Sequence, residues 1–339
     1  MNGSEMNSGR EPELASAWLR RLRAGEPRTL GGLTVFPLSW EVPGVFPYLT
    51  LGEALEKGFV TITEVSQGGS VPELAVENAG ETAVLLLDGE ELRGAKQNRV
   101  LNTTILLAPK SRSVVPVSCT EQGRWHYVSN AFEDSGFVMS RSARIEKNLS
   151  VSMSLKAGRA HRSDQGAVWN SIRDLSDRAG VFSSTGAQRD VFESRKEALF
   201  EVEREIPCRE GQCGLLVFAL GQPVGFDAVS LPSAYARLHG KLLKAMPWKA
   251  SWRARGLRDG LPGRKRPGLS WTPARTLPAK PTRASAWAWT AVSSLGPGPV
   301  FPWFTGARPS IPPSSPCLTR SREEPARNPP PPWPTWSAA

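Results

Sequence analysis

The hydrophobic positions of this chain change their spacing near residue 155. Before it they mostly alternate with polar residues or run together in short blocks, as strands do. After it they recur every three or four residues, as helices do. Residues 33–36 read as a strand. Residues 59–65 alternate apolar and polar, and 73–78 do so again. Ala79-Gly80 can turn the chain into the continuous apolar run 83–87, which suits a buried strand. Residues 103–107 and 113–118 predict two more strands joined by a polar turn around Lys110. An alternating section within 144–155 predicts another.

Helices announce themselves by periodicity and by their ends. Leu14, Trp18 and Leu22 fall four apart and predict a short amphipathic helix over 13–23. Thr50-Leu-Gly-Glu53 fits a capping box, in which the Thr50 hydroxyl accepts from the Glu53 amide and the Glu53 carboxylate reaches back. A short helix then runs through Lys57 and is closed by Gly58. Residues 164–178 put Val168, Ile172 and Leu175 on one face, with Ser163 as N-cap and Gly180 as the stop. The charged stretch 187–205 predicts one exposed helix. Residues 214–219 and 224–228 flank Leu220-Gly-Gln-Pro223 as a hairpin, and 233–244 begin a helix through Tyr235, Leu238 and Leu242. The expected fold class is α+β, a single β-rich domain over residues 30–245 with helices concentrated in its C-terminal half. An extension over 1–29 with a short helix precedes it, and a disordered tail over 246–339 follows.

Composition sharpens that boundary. From Met246 onward the chain holds 14 Lys and Arg against 3 acidic residues, with 19 of its 30 Pro and 8 of its 12 Trp. Residues 1–245 hold 28 basic and 29 acidic residues, so the pI near 9.8 belongs to the tail. A nucleic-acid footprint needs a basic face on a folded domain, and specific nucleic-acid binding is not expected. The tail reads either as a polyproline-like segment or, because periodicity stops inside a helix, as a frame-shift product. No apolar run approaches the ~20 residues of a membrane span, and the polar N-terminus has no signal-peptide core, so a cytoplasmic location without membrane partners is expected. Cys119, Cys208, Cys213 and Cys317 lack the spacing of a disulfide framework or a zinc site. No metal is expected, and no cofactor can be named.

The candidate chemistry is concentrated in three patches. The first is Leu85-Leu-Leu-Asp88-Gly89-Glu90-Glu91-Leu92-Arg93-Gly94-Ala95-Lys96-Gln97-Asn98-Arg99, where an apolar run ends at an acidic turn and donors and acceptors of both signs follow. It brushes against the phosphate-binding loop but fails it: Lys96 comes one residue late, and Gln97 stands where Ser or Thr would hold Mg²⁺. Glu90 and Glu91, as neighbours on a strand, would face opposite sides. The bland alternative is an exposed charge network with Arg93, Lys96 and Arg99. The second patch is Ser118-Cys119-Thr120-Glu121-Gln122-Gly123-Arg124-Trp125. Cys119 would be nucleophilic if Arg124 or His126 lowered its pKa, and otherwise is an inert buried thiol. Arg124 beside Trp125 suits a planar or anionic group. The third is Asp164-Gln165 with Trp169, which also reads as a helix start with a core Trp.

Together the patches resemble the ARG and Rhodanese-Phosphatase-superfamily-associated Protein domain family, where ARG stands for ADP-ribosylglycohydrolase. The resemblance runs through Leu87-Asp-Gly-Glu-Glu-Leu-Arg-Gly-Ala-Lys-Gln-Asn-Arg-Val-Leu-Asn102, Val117-Ser-Cys-Thr-Glu-Gln-Gly-Arg-Trp125 and Ser163-Asp-Gln-x-x-Val-Trp169. Leu33-Thr-Val-Phe-Pro-Leu38 and Tyr48-Leu-Thr-Leu51 match the family's opening. It implies association with proteins that handle ADP-ribose, sulfur or phosphate groups, and carries no established reaction. The expected function is to bind or process a phosphorylated nucleotide-like small molecule. Glu90, Glu121 and Cys119 are the candidate catalysts. Glu91, Lys96, Gln97, Asn98, Arg99, Arg124, Trp125, Gln165 and Trp169 are the candidate ligand contacts, with Lys96, Arg99 and Arg124 neutralising phosphate. The alternative is a non-catalytic interaction module in which the same residues form a buried polar network.

Overall fold

The computed structural model describes residues 17–30, 32–66, 68 and 72–246. The start of the expected helix at 13–16 and the tail from residue 247, with the readings of it as disordered or frame-shifted, lie outside these. Among the described residues, besides the helical turn at 17–19, fourteen strands and six helices follow in order. They are β1 (Leu22–Ala24), β2 (Arg28–Leu30), β3 (Leu33–Trp40), β4 (Tyr48–Thr50), α1 (Leu51–Glu56), β5 (Val60–Glu64), β6 (Glu73–Asn78), β7 (Ala83–Leu86), β8 (Glu90–Gly94), β9 (Arg99–Leu101), β10 (Ile105–Leu107), β11 (Ser111–Cys119), β12 (Phe132–Val138), α2 (Arg141–Lys156), α3 (Gln165–Ala179), α4 (Gln188–Glu193), α5 (Lys196–Glu205), β13 (Gly214–Ala219), β14 (Gln222–Ala228) and α6 (Pro232–Lys244). The domain is β-rich, with its helices mostly in the C-terminal half.

The strands form three sheets. One has the order β1-β3-β13-β14 with β2 also on β3, one is β10-β7-β4, and the largest is β12-β8-β9-β11-β6-β5. The apolar run at β7 is continuous because the strand lies between two cores. Ala83 and Leu85, with Leu87 just beyond the strand, pack with α6 residues such as Tyr235 and Leu238. Val84 and Leu86 point the other way, to Ile62, Val76 and Leu92. Alternation thus sends every side chain of β7 into apolar surroundings.

The capping box forms as read. The Thr50 amide donates to Glu53 Oε2 at 3.0 Å and the Glu53 amide to Thr50 Oγ1 at 3.3 Å. Thr50→Ala should cost about 1 kcal/mol of stability, with Thr50→Ser close to native, in a urea titration; a loss no larger than that of an exposed control substitution would show that the cap contributes nothing.

Four expectations change. Residues 144–155 belong to helix α2, not a strand: Ala143, Arg144, Lys147 and Val151 form its buried stripe, and the two cations in it hide the helical period. The 187–205 helix is two, parted at Ser194 and Arg195, and both are amphipathic, burying Val191, Phe192, Leu199 and Val202. The N-cap of α3 is Asp164, whose carboxylate accepts from the Ala167 amide at 3.0 Å, while Ser163 hydrogen-bonds Ser118 instead. Within 17–23 only 17–19 are helical, because Leu22 already pairs with Trp40 as a strand.

Candidate functional site

The first motif is not a loop. Glu90–Gly94 and Arg99–Leu101 are neighbouring inner strands of the six-stranded sheet, so most of their polar side chains are enclosed. Gly89 makes the turn before them at φ 84°, and a Cβ there would stand 2.9 Å from Arg144 Nε. Its glycine serves the backbone, not a phosphate.

Residues from all three patches meet around Arg99. Its guanidinium is fully buried and donates to Gln97 Oε1 and to Cys119 Sγ, each at 2.7 Å, with Glu64 Oε1 3.5 Å away. Gln165 grips the Cys119 backbone from α3, accepting from its amide at 2.8 Å and donating to its carbonyl at 2.9 Å. Arg99 Nε, Glu64 Oε2 and Trp169 Nε1 are buried without a protein partner. Burial pushes the Cys119 thiol up to about 11, although Arg99 opposes it. Cys119 Sγ thus accepts a hydrogen bond from a guanidinium, and burial favours its protonated form.

Glu121 and Arg124 close on each other. Glu121 Oε2 accepts from Arg124 Nε at 2.9 Å, Arg124 Nη2 at 2.7 Å and the Asn98 amide at 3.2 Å. Arg124 also donates to the Ala95 carbonyl at 2.8 Å and Asn98 Oδ1 at 3.2 Å. Burial alone would raise the Glu121 carboxyl, but Arg124 and the amide hold it below its ordinary value. The Arg99 and Arg124 guanidinia, expected to contact phosphate, are both buried, with their hydrogen bonds made inside the fold.

Glu90 and Glu91 face opposite sides of β8, as strand geometry requires. Glu90 accepts from the Leu87 amide and from Lys241 of α6, each at 2.9 Å, and Lys241 also reaches Asp134 at 2.5 Å. Burial raises the Glu90 carboxyl and Lys241 opposes the rise. Glu91 accepts from the Thr120 hydroxyl at 2.7 Å and is pushed up to about 7, chiefly by burial.

Only part of the predicted site reaches the surface. The Trp125 ring is half exposed, and Lys96 Nζ lies 5.3 Å from its centroid and 5.1 Å from that of Tyr127. Lys96 also donates to the Gly68 carbonyl at 2.7 Å. Arg99 approaches the same indole, 5.6 Å from its centroid. A half-exposed aromatic pair carrying an ammonium can stack a planar group and attract an anion.

The sequence reading missed a second buried cluster. Asp88 accepts from Arg144 Nε at 3.0 Å, from Asn148 at 2.9 Å and from Lys147. Arg144 donates onward to Asp227 at 2.8 Å, and Lys147 to the Asn102 carbonyl at 3.0 Å. A helical reading of 141–156 would have revealed Arg144 and Lys147 in an apolar stripe, and so the need for buried anions. Glu64, Asp134 and Lys241 left no local signal. Among the described residues no group of three or more His, Cys, Asp or Glu could hold a metal ion, and no helix is long and apolar enough to cross a membrane.

Comparison with known proteins agrees with the motifs. The family described as the ARG and Rhodanese-Phosphatase-superfamily-associated Protein domain matches residues 21–259. No curated protein and no solved structure matches the chain.

Proposed function

The chain belongs to the ARG and Rhodanese-Phosphatase-superfamily-associated Protein domain family, and we propose that its domain binds, rather than transforms, a planar phosphorylated nucleotide-like ligand. The half-exposed Trp125 ring with Lys96 beside it carries the reading. The indole would stack the base, Tyr127 would extend the platform, and the Lys96 ammonium would meet a phosphate. An ADP-ribose derivative is the ligand type favoured by the ADP-ribosylglycohydrolase in the family's name. Binding is favoured over catalysis because Cys119 is protonated and Glu90 and Glu121 are committed to Lys241 and Arg124. A second reading, a non-catalytic interaction module stiffened by a buried polar network, is favoured by the closed Glu121–Arg124–Asn98 arrangement.

Calorimetric titration with ADP-ribose, ADP and adenosine separates the two. Loss of a stacking ring costs about 1–3 kcal/mol, so Trp125→Ala should bind roughly five- to hundredfold more weakly. Lys96→Gln should weaken ADP-ribose and ADP but leave adenosine unchanged. Both variants should melt within about 2 °C of native, since exposed substitutions change stability little. A native protein that binds none of the three would leave the interaction-module reading standing.

A further inference from the structure

Glu91 faces the side of β8 opposite to Glu90, among buried polar groups. Three fully enclosed polar atoms there have no protein hydrogen-bond partner: Glu91 Oε2, Gln188 Nε2 and Ser140 Oγ. Their residues are 0%, 0% and 3% exposed. Hydrogen bonds join these residues into one chain. Thr120 Oγ1 donates to Glu91 Oε1 at 2.7 Å, the Gln188 amide donates to the Thr120 carbonyl at 3.0 Å, and the Ser140 amide donates to Gln188 Oε1 at 3.1 Å. The ladder between β8 and β12 is also irregular at this point. Asp134 pairs with Leu92 and Val138 with Glu90, so residues 135–137 stand opposite Glu91 alone. Gly136, at φ 79°, lets the extra chain bulge, and Ser135 lies in that bulge with its hydroxyl toward the Glu91 carboxyl, outside the geometry that would give Glu91 Oε2 a protein partner.

We propose that the β12 bulge, the start of α2 and the start of α4 enclose an internal water-binding site that joins Glu91 Oε2 to Gln188 Nε2 and Ser140 Oγ. Three polar partners are what a buried water usually makes, and unpartnered buried polar groups are where such waters occur. The chemistry selects water over a fixed side chain. Gln188 Nε2 can only donate, whereas Glu91 Oε2 donates when its carboxyl is protonated and accepts when it is ionised. A water molecule can accept from Gln188 in both states and reverse its bond to Glu91, with the Ser140 hydroxyl turning to suit. The charged groups facing Glu91 are Arg189 of α4, which favours ionisation, and Glu121, which opposes it. The bridge closes a ring through Glu91, Thr120 and Gln188. That ring ties β8 to α4 and to the segment between Cys119 and Glu121.

Oxygen-17 relaxation dispersion of the solvent counts long-lived internal waters in the full chain. The count should fall in Glu91→Leu and in Gln188→Leu, and stay at the native level in Glu91→Gln, whose amide still reaches a water. An undiminished count in both leucine variants overturns the site. A high-resolution crystal structure of the native chain decides the matter should either leucine variant fail to fold. Density for a water within hydrogen-bonding distance of all three atoms supports the proposal, and direct contact between those atoms refutes it.

Discussion

Replacing Asp88 with alanine should destabilise the domain by about 3–5 kcal/mol, read by urea titration with circular dichroism. The Asp88 carboxylate faces two cations, Arg144 and Lys147, in surroundings where each of the three is almost wholly enclosed. Burial alone would drive the carboxyl up, yet Lys147 and Arg144 together hold it below its ordinary value. Burial pulls Lys147 down despite the attraction of Asp88. Without the anion, Lys147 can shed its proton, but a guanidinium cannot, and Arg144 would lose Asp88 while keeping Asp227. The penalty is therefore mostly an uncompensated buried charge. Adding Lys147→Met to Asp88→Ala should recover part of the loss, because it removes a second charge and fills an apolar stripe. A loss below about 1 kcal/mol for Asp88→Ala would mean that water reaches the cluster and screens it.

That cluster also shows where sequence reading stops. Elements whose side chains agree with one local rule were legible: the Thr50–Glu53 box, the β7 run, the hairpin of β13 and β14, and the Tyr235–Leu238–Leu242 face of α6. Helix α2 was not, because Arg144 and Lys147 occupy positions that periodicity assigns to apolar residues. At the site, hydrogen bonds join Arg99 to Cys119 and Cys119 to Gln165, one residue from each of the three patches. Burial belonged only to the alternative reading of a buried polar network. A dense polar run looks like a solvent-facing loop, yet β8 and β9 are inner strands. Buried polar side chains need partners, and several of those partners are remote in sequence. Lys241 is 151 residues from Glu90 and Asp227 is 83 from Arg144. No local pattern encodes which distant lysine or carboxylate completes a pair, so candidate ligand contacts and structural ion pairs look alike until the fold separates them.

Raising the pH from about 4.5 to about 8 should cost the native protein roughly 3 kcal/mol that Glu91→Gln does not lose. In the folded state the Glu91 carboxyl is raised from its ordinary 4.5 to about 7, first by burial and slightly by Glu121. The Thr120 and Ser135 hydroxyls and Arg189 oppose the rise. A carboxyl raised on folding binds its proton more tightly in the native state than in the unfolded chain. Its contribution is fully present below about pH 4.5, declines as the unfolded chain ionises, and is gone once the pH passes the folded value near 7. Asp88 and Glu121 are shifted the other way, so their contributions fade as the pH falls. Because Asp88 and Glu121 are present in both proteins, subtracting the Glu91→Gln curve from the native one leaves mainly the Glu91 contribution. The glutamine can still accept from Thr120, so the difference reports the proton rather than a lost hydrogen bond. Urea midpoints at matched pH values from about 4.5 to about 8 supply the two curves. Parallel curves would show that Glu91 is already ionised inside the fold, and that Arg189 and the surrounding dipoles outweigh its burial.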